Sequence, residues 1–300
     1  MTRPLKNLCE VAVIGGGLAG LSAARHAARL GRLVTLFEGS GIYGGQLATV
    51  DHVDGLPFPG DFSGQDLAIG LLEDARKVGA RVIEAQIEAL VADRRLTLTD
   101  SAGQVHYPGT VIVASGAAPR RLGVPGEEQF AGRGVSRCAS CDGGFFRDMD
   151  VVVVGGGDAA VHEALVLARS SREVIMVCRS PLSAQREYIS RLDARENVRF
   201  VWDSEVTEIL GEAKVAGVRL RNVRSGAVSE IAAAGVFPFI GSTPNTSFLG
   251  EAMREPGGHI ASCDPRIIAA GAVRAEYGGM AVQAMAEGVS TAKAAHAILG

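Results

Sequence analysis

The residues with the clearest chemical capacity are Ser136-Arg137-Cys138-Ala139-Ser140-Cys141-Asp142-Gly143-Gly144, where two cysteines two residues apart are followed at once by a carboxylate. One helical turn brings sulfurs at this spacing within disulfide reach. Free N–H groups at the start of a helix favour a thiolate and lower its pKa. Asp142 stands where a carboxyl can exchange a proton with a departing thiol. The chemistry expected of Cys138, Cys141 and Asp142 is reversible thiol–disulfide exchange. Two blander assignments compete. Half of a zinc site would need two more ligands, and no second CxxC or HxxxH occurs. Cys9, Cys178 and Cys263 are singletons, so no metal is expected. Two inert buried cysteines are the other alternative, and the flanking sequence weighs against it.

The flanks carry the same nucleotide-binding device twice. Glu10-Val11-Ala12-Val13-Ile14 reads as a buried parallel strand, Gly15-Gly16-Gly17-Leu18-Ala19-Gly20 as a GxGxxG turn, and the Ala/Leu/Arg-rich sequence to Leu30 as a helix. Gly15 permits the tight turn, Gly17 lets a pyrophosphate approach the backbone, and Gly20 lets the helix pack on the strand. The next strand, Leu33 to Phe37, ends at Glu38, an acid placed for an adenosine ribose. Val151 to Val154, Gly155-Gly156-Gly157-Asp158-Ala159-Ala160 and the helix after it repeat the pattern as GxGxxA. Its second strand ends at Cys178-Arg179 without an acid, and an Arg there favours a 2′-phosphate. A dithiol beside two dinucleotide folds implies electrons passing from one nucleotide to the other and on to sulfur.

The remaining elements read in order. Gly44-Gly45-Gln46-Leu47 and Asp54 to Gly60 are loops, Phe62 to Val78 an amphipathic helix, and Arg81 to Tyr107 short strands. Val111 to Gly116 is a strand ending in small residues. Arg199 to Arg221, Ala227 to Ala233 and Gly235 to Gly241 read as strands, Ser242 to Thr246 as a turn, Ile267 to Gly271 as a last strand, and Met280 to Leu299 as a helix. His162 reads as a surface or packing histidine and Cys178 as a small packing residue.

Bulk properties exclude several classes. With 300 residues, 47% of them hydrophobic, the chain can build two cored domains. A net charge of −3 argues against nucleic-acid or anionic-membrane partners. Five cysteines are too few for a disulfide scaffold, and neither a signal peptide nor an apolar run of membrane-span length is seen, so the cytoplasm is expected.

Taken together, Gly15 to Gly20, Gly44 to Leu47, Val111 to Gly116, Cys138 to Asp142, Gly155 to Ala160 and Gly241 with Pro244-Asn245-Thr246 resemble the low-molecular-weight thioredoxin reductases in order and spacing over essentially the whole chain. The resemblance implies an α/β fold of two Rossmann-like, three-layer ββα dinucleotide domains, the second inserted into the first. FAD would bind residues 1–118 with 242–300, on Gly15, Gly17, Leu18, Ala19, Gly20, Glu38, Gly45, Gln46, Leu47, Gly116, Gly271, Ala272, Met280 and Ala281. NADPH, or NADH in its place, would bind 119–241 on Gly155, Gly157, Asp158, Ala159 and Arg179. Hydride would reduce FAD, FAD the Cys138–Cys141 disulfide, and the dithiol a thioredoxin-like protein or a small disulfide. The resemblance gives Cys141 the flavin-facing role, Cys138 the attack on substrate, Asp142 the acid–base role, and the enzyme a homodimeric state.

Three departures qualify it. The family's Gly-Asp at the last strand reads Gly271-Ala272, its Arg-Gln pair reads Gly279-Met280, and of its 2′-phosphate signature only Arg179 remains. These departures also motivate a dithiol oxidase that passes electrons to oxygen, and a non-catalytic flavin-fold binding or redox-sensing protein. The intact dithiol favours the reductase.

Overall fold

The structure is a computed structural model that describes residues 9–50, 53, 56–57, 60–261, 264–275 and 277–300. Cys263 and much of the 54–60 loop lie outside the described residues. The chain divides into two compact units. The first combines the chain up to Ala118 with Thr243–Gly300, and the second is Pro119–Ser242.

In the first unit five parallel strands are ordered Ile267–Ala269, Thr110–Val113, Val11–Ile14, Val34–Phe37, Arg81–Ile83. Val11–Ile14 is fully apolar because both faces of its sheet are covered. Val11 and Val13 pack toward the helices, while Ala12 and Ile14 pack toward a small antiparallel sheet of Ile87–Ala92, Leu96–Asp100 and Val105–His106. The Leu18–Arg29 helix turns Ala23, Ala24 and Ala27 inward, all fully buried. It packs closely on the Ala281–Leu299 helix, where a Cβ on Gly288 would lie 2.3 Å from the Ala19 carbonyl oxygen. The Gly64–Lys77 helix is capped by Ser63, whose hydroxyl accepts from the Asp66 N–H at 3.0 Å.

The second unit repeats this layering. Parallel strands are ordered Val198–Trp202, Glu173–Cys178, Asp150–Val154, Gly235–Pro238. Val151, Val153 and Met176 face the Asp158–Leu167 helix. Val152, Val154 and Ile175 face an antiparallel sheet of Ser204–Gly211, Val215–Asn222 and Val228–Ala232. Both units are therefore ββα three-layer folds.

Two local expectations are corrected, and one helix is added. Gly45 to Leu47, read as loop, open a 3-10 helix, Gly45–Thr49, entered from Gly44 at φ +103°. Ser242–Pro244, read as part of a turn, is a short strand laddered with Ala117–Pro119. Its Ser, Thr and Pro content signals a turn, and a partner more than a hundred residues away overrides that local signal. Arg186–Asp193 forms a helix that the sequence reading left unassigned. It is polar, with Leu192 its one fully buried side chain.

Candidate active site

In the second unit Cys138 caps a single helical turn, Ala139–Asp142, and is bonded to Cys141 with the Cα atoms 5.3 Å apart. The Cys141 N–H donates to Cys138 Sγ at 3.1 Å, and the Asp142 N–H to the Cys138 carbonyl at 3.1 Å. Cys138 is half-buried and Cys141 exposed, while Ala139 between them is buried and anchors the turn in the core. Asp142 is half-buried directly after the pair. The turn is held at its start by a residue that sequence reasoning missed: Glu163 Oε2 accepts from the Ala139 N–H at 2.6 Å. The segment leading in is fixed by Arg137, paired at 3.1 Å with the buried Glu127. The other described thiols are chemically quiet. Burial pushes Cys178 up to about 11, with its Sγ donating to the Gly155 carbonyl at 3.2 Å, and burial raises Cys9 as well. Among the described residues no three His, Cys, Asp or Glu side chains are grouped to hold a metal.

In the first unit the glycine turn has the form a dinucleotide requires. Gly15 sits at φ +104°, and a Cβ there would lie 2.4 Å from the Ala114 carbonyl oxygen. A Cβ on Gly20 would fall 1.9 Å from the Gly15 carbonyl oxygen. A Cβ on Gly17 would meet nothing within 4 Å, so open space faces the start of the Leu18–Arg29 helix, which has no side-chain cap. Open space before uncapped N–H groups suits a pyrophosphate. Leu18 and Ala19 are buried beneath the turn. Glu38 closes the far side, its Oε2 accepting from the Gly16 N–H at 2.6 Å and its Oε1 from the Ser40 N–H at 2.7 Å. A cavity of about 420 Å³ opens beside Gly15 and Glu38, walled by Ser115, Asn245 and Thr246. Asn245 anchors this wall. Its N–H donates to the Gly116 carbonyl at 2.9 Å, and its Nδ2 to the Ser115 carbonyl at 2.9 Å. The wall was missed as a site. The Pro244-Asn245-Thr246 signature was its sequence signal.

Gly45 and Gln46 are exposed at the start of the 3-10 helix Gly45–Thr49, with Gln46 Nε2 donating to the Ala117 carbonyl, while Leu47 packs on the core. Gly271, at φ +75°, is brought against the first helical turn, where a Cβ would lie 3.1 Å from Ala19 Cβ. Its N–H donates to Glu287 Oε2 at 2.7 Å. Ala272 follows in a 3-10 turn, Met280 stands 44% exposed at the start of the closing helix, and Ala281 is buried. The adenosine-diphosphate half of an FAD therefore fits the residues present. Ala272 and Met280, the residues expected at the ribitol half, offer no carboxylate or amide acceptor.

The second unit repeats the turn. Gly155, at φ +131°, would place a Cβ 2.1 Å from the Phe239 carbonyl oxygen, and a Cβ on Gly157 would meet only Ser183 Oγ, at 3.9 Å. Asp158 accepts from the Gln185 N–H at 2.7 Å, Ala159 is exposed, and Arg179 is exposed just past the second strand. A nicotinamide dinucleotide fits this turn, and Arg179 is the one charged side chain expected for a 2′-phosphate.

Comparison with known proteins agrees with this geometry. The sequence matches the pyridine nucleotide-disulphide oxidoreductase family over residues 9–296. It is 39% identical over 260 residues to the thioredoxin reductase of Streptomyces coelicolor, covering 85% of this chain and 81% of that protein. It is 37% identical over 295 residues to that of Treponema pallidum, covering 95% of each. The crystal structure of Lactococcus lactis thioredoxin reductase superposes with a TM-score of 0.90 at 31% identity, covering 97% of this chain and 99% of that one. The chain belongs to the low-molecular-weight thioredoxin reductase family of pyridine nucleotide-disulphide oxidoreductases, flavin-dependent enzymes that use FAD and NADPH.

Proposed function

We propose that the protein is a thioredoxin reductase, taking electrons from NADPH and delivering them through Cys138 and Cys141 to the disulfide of a thioredoxin-like protein. The observation that carries this reading is the Cys138–Cys141 bond at the start of a helical turn, with Asp142 immediately after it. The discontinuous unit would hold FAD on the Gly15–Gly20 turn, Glu38 and the loops around Gly45 and Gly271. The inserted unit would hold NADPH on the Gly155–Ala160 turn and Arg179. When bound, FAD supplies a two-electron relay between nicotinamide and disulfide.

The chain's own residues perform the exchange. Cys138, as thiolate, attacks one sulfur of the substrate disulfide. A mixed disulfide forms as the substrate S–S bond breaks, and the leaving sulfur takes a proton by way of Asp142. Cys141 then attacks Cys138 Sγ, which releases the second substrate thiol and restores the Cys138–Cys141 bond. The protein would act as a homodimer in the cytoplasm. Among the described residues no helix is long and apolar enough to cross a membrane.

The test uses the FAD-loaded protein under anaerobic NADPH. Wild type should lose its yellow colour and reduce a thioredoxin. Cys138→Ser should still bleach yet give no disulfide turnover, and Cys141→Ser should block electron passage from flavin to sulfur. Undiminished turnover by Cys138→Ser would remove its assigned role. Failure of NADPH to bleach wild type, with oxygen consumed in a separate aerobic assay with a small dithiol, would replace the reductase by an oxidase.

A further inference from the structure

The redox turn Ala139–Asp142 has its first N–H groups occupied unequally. The Cys141 N–H goes to Cys138 Sγ and the Asp142 N–H to the Cys138 carbonyl, both at 3.1 Å. The Ala139 N–H goes to a carboxylate, Glu163 Oε2, at 2.6 Å. Glu163 reaches it from the Asp158–Leu167 helix, 24 residues further on, and its side chain is only 20% exposed. A partly buried acid thus rests on the backbone of the residue that follows the first cysteine.

We propose that Glu163 is a positioning residue of the dithiol, which fixes the redox turn through the Ala139 N–H and, through its charge, keeps the Cys138–Cys141 thiols less acidic than the turn alone would make them. The inference rests on the dithiol reading of this site. The disulfide is neutral, but reduction adds two electrons, and the product holds either two protons or one or two negative charges. N–H groups at the start of the turn stabilise a thiolate. A carboxylate takes the donor of the residue next to Cys138 and sets a like charge there, which disfavours the thiolate form. Burial pushes Glu163 above the usual carboxylate range, while the Ala139 N–H and His162 pull it back. The neighbours that can titrate are His162 on its own helix, with Nδ1 4.0 Å from Glu163 Oε1, and Cys138, Cys141 and Asp142 on the redox turn. Tyr188, from the Arg186–Asp193 helix, meets the His162 ring edge-on at 6.0 Å.

The sign follows from the charge. Well below the thiol pKa the reduced pair is almost wholly neutral, so Glu163 leaves its potential unchanged and alters only the small thiolate fraction. Above that pKa the Glu163 charge destabilises the anionic reduced form, so its removal should make the disulfide easier to reduce there and only there. Glu163→Gln keeps an oxygen for the Ala139 N–H and deletes the charge. Glu163→Asp keeps the charge on a shorter side chain. The reduced, FAD-loaded proteins are alkylated anaerobically with iodoacetamide across pH, and Cys138 and Cys141 adducts are counted by mass spectrometry. This readout needs no turnover, so a wild type that fails to reduce thioredoxin would strike the reductase reading and leave this result standing. Glu163→Gln should lower the apparent thiol midpoint by about one pH unit, roughly tenfold more thiolate below both midpoints. Its dithiol–disulfide potential, measured against glutathione, should rise by about 30 mV per tenfold above the midpoint and stay unchanged below it. Glu163→Asp should return both toward wild type. An unchanged or raised midpoint in Glu163→Gln overturns the proposal. So does a shift that Glu163→Asp fails to reverse, because the effect would then belong to side-chain shape and not to charge.

Discussion

The roles of Gly17 and Gly20 in the first nucleotide turn can be separated by adding one methyl group to each. At Gly17 the backbone is extended, φ −72° and ψ 176°, and a Cβ would meet nothing within 4 Å. Alanine fits there without strain. It should gain about 0.4–1 kcal/mol by restricting the unfolded chain and lose a similar amount because glycine is the better helix N-cap. The apo-protein should therefore unfold within about 0.5 kcal/mol of wild type. FAD binding should suffer, because the methyl enters the space left for the pyrophosphate. Loss of one N–H bond to a charged group costs about 1.5–3 kcal/mol, roughly tenfold to a hundredfold in Kd. At Gly20 the order reverses. A Cβ 1.9 Å from the Gly15 carbonyl oxygen forces the helix off its turn, an overpacking cost of about 1–3 kcal/mol in the absence of any ligand. Thermal unfolding of the apo-proteins and flavin fluorescence quenching on titration with FAD measure the two effects. Gly17→Ala protein that binds FAD like wild type, or that loses as much apo stability as Gly20→Ala, would refute the reasoning about this turn.

Ala272→Asp should tighten FAD by about tenfold to a hundredfold through a new ribitol acceptor, and wild type should release part of its FAD during purification; a wild type that keeps it stoichiometrically and a substitution without effect would show that another group has taken the acceptor's place. NADPH should be preferred over NADH by no more than about a hundredfold, since Arg179 is exposed and is the one charged contact identified for the 2′-phosphate, and steady-state rates with both cofactors for wild type and Arg179→Ala measure it. Burial opposes ionisation of Asp100, but His106 Nε2 at 2.8 Å and the Gln104 and Ala102 N–H groups hold its carboxyl below the ordinary 3.8. With a depressed folded pKa, its contribution is present above about pH 4 and lost as pH falls through the lower folded value, so Asp100→Asn should be less stable at neutral pH and show a flatter acid limb in urea unfolding.

What was legible in the sequence was whatever repeats locally. Val11–Ile14 and Val151–Val154 announce strands covered on both faces, and the glycines after them announce a close approach of backbone, which Gly15 and Gly155 then make. The cysteine pair was legible because the bond it forms spans three residues. What stayed hidden depends on partners distant in the chain. The cavity wall at Asn245 is built by hydrogen bonds to Ser115 and Gly116, some 130 residues earlier. Glu163 is the sharper case. In Asp158-Ala159-Ala160-Val161-His162-Glu163 it reads as an ordinary polar position of a surface helix, and His162 draws more notice. Only the fold shows that it points inward to the Ala139 N–H.

The same contrast bears on the departures at Ala272 and Met280. A lost acid in a sequence suggests a damaged site, yet the backbone around it is held. The Gly271 N–H is bonded to Glu287, Glu287 Oε1 lies 2.8 Å from Arg274 and 2.9 Å from Gln283 Nε2, and the Gly278 N–H donates to Gln283 Oε1 at 2.9 Å. This network ties Gly271, Arg274 and Gly278 to the closing helix from within the first unit. These hydrogen bonds do not involve the Ala272 side chain, so losing the ribitol acceptor should weaken FAD binding without disturbing them. The first glycine turn and the dithiol turn are likewise held by hydrogen bonds within the chain. The substitutions are therefore expected to tune how tightly each nucleotide is held, while the thiol chemistry, which depends on Cys138, Cys141, Asp142 and their backbone, stays intact.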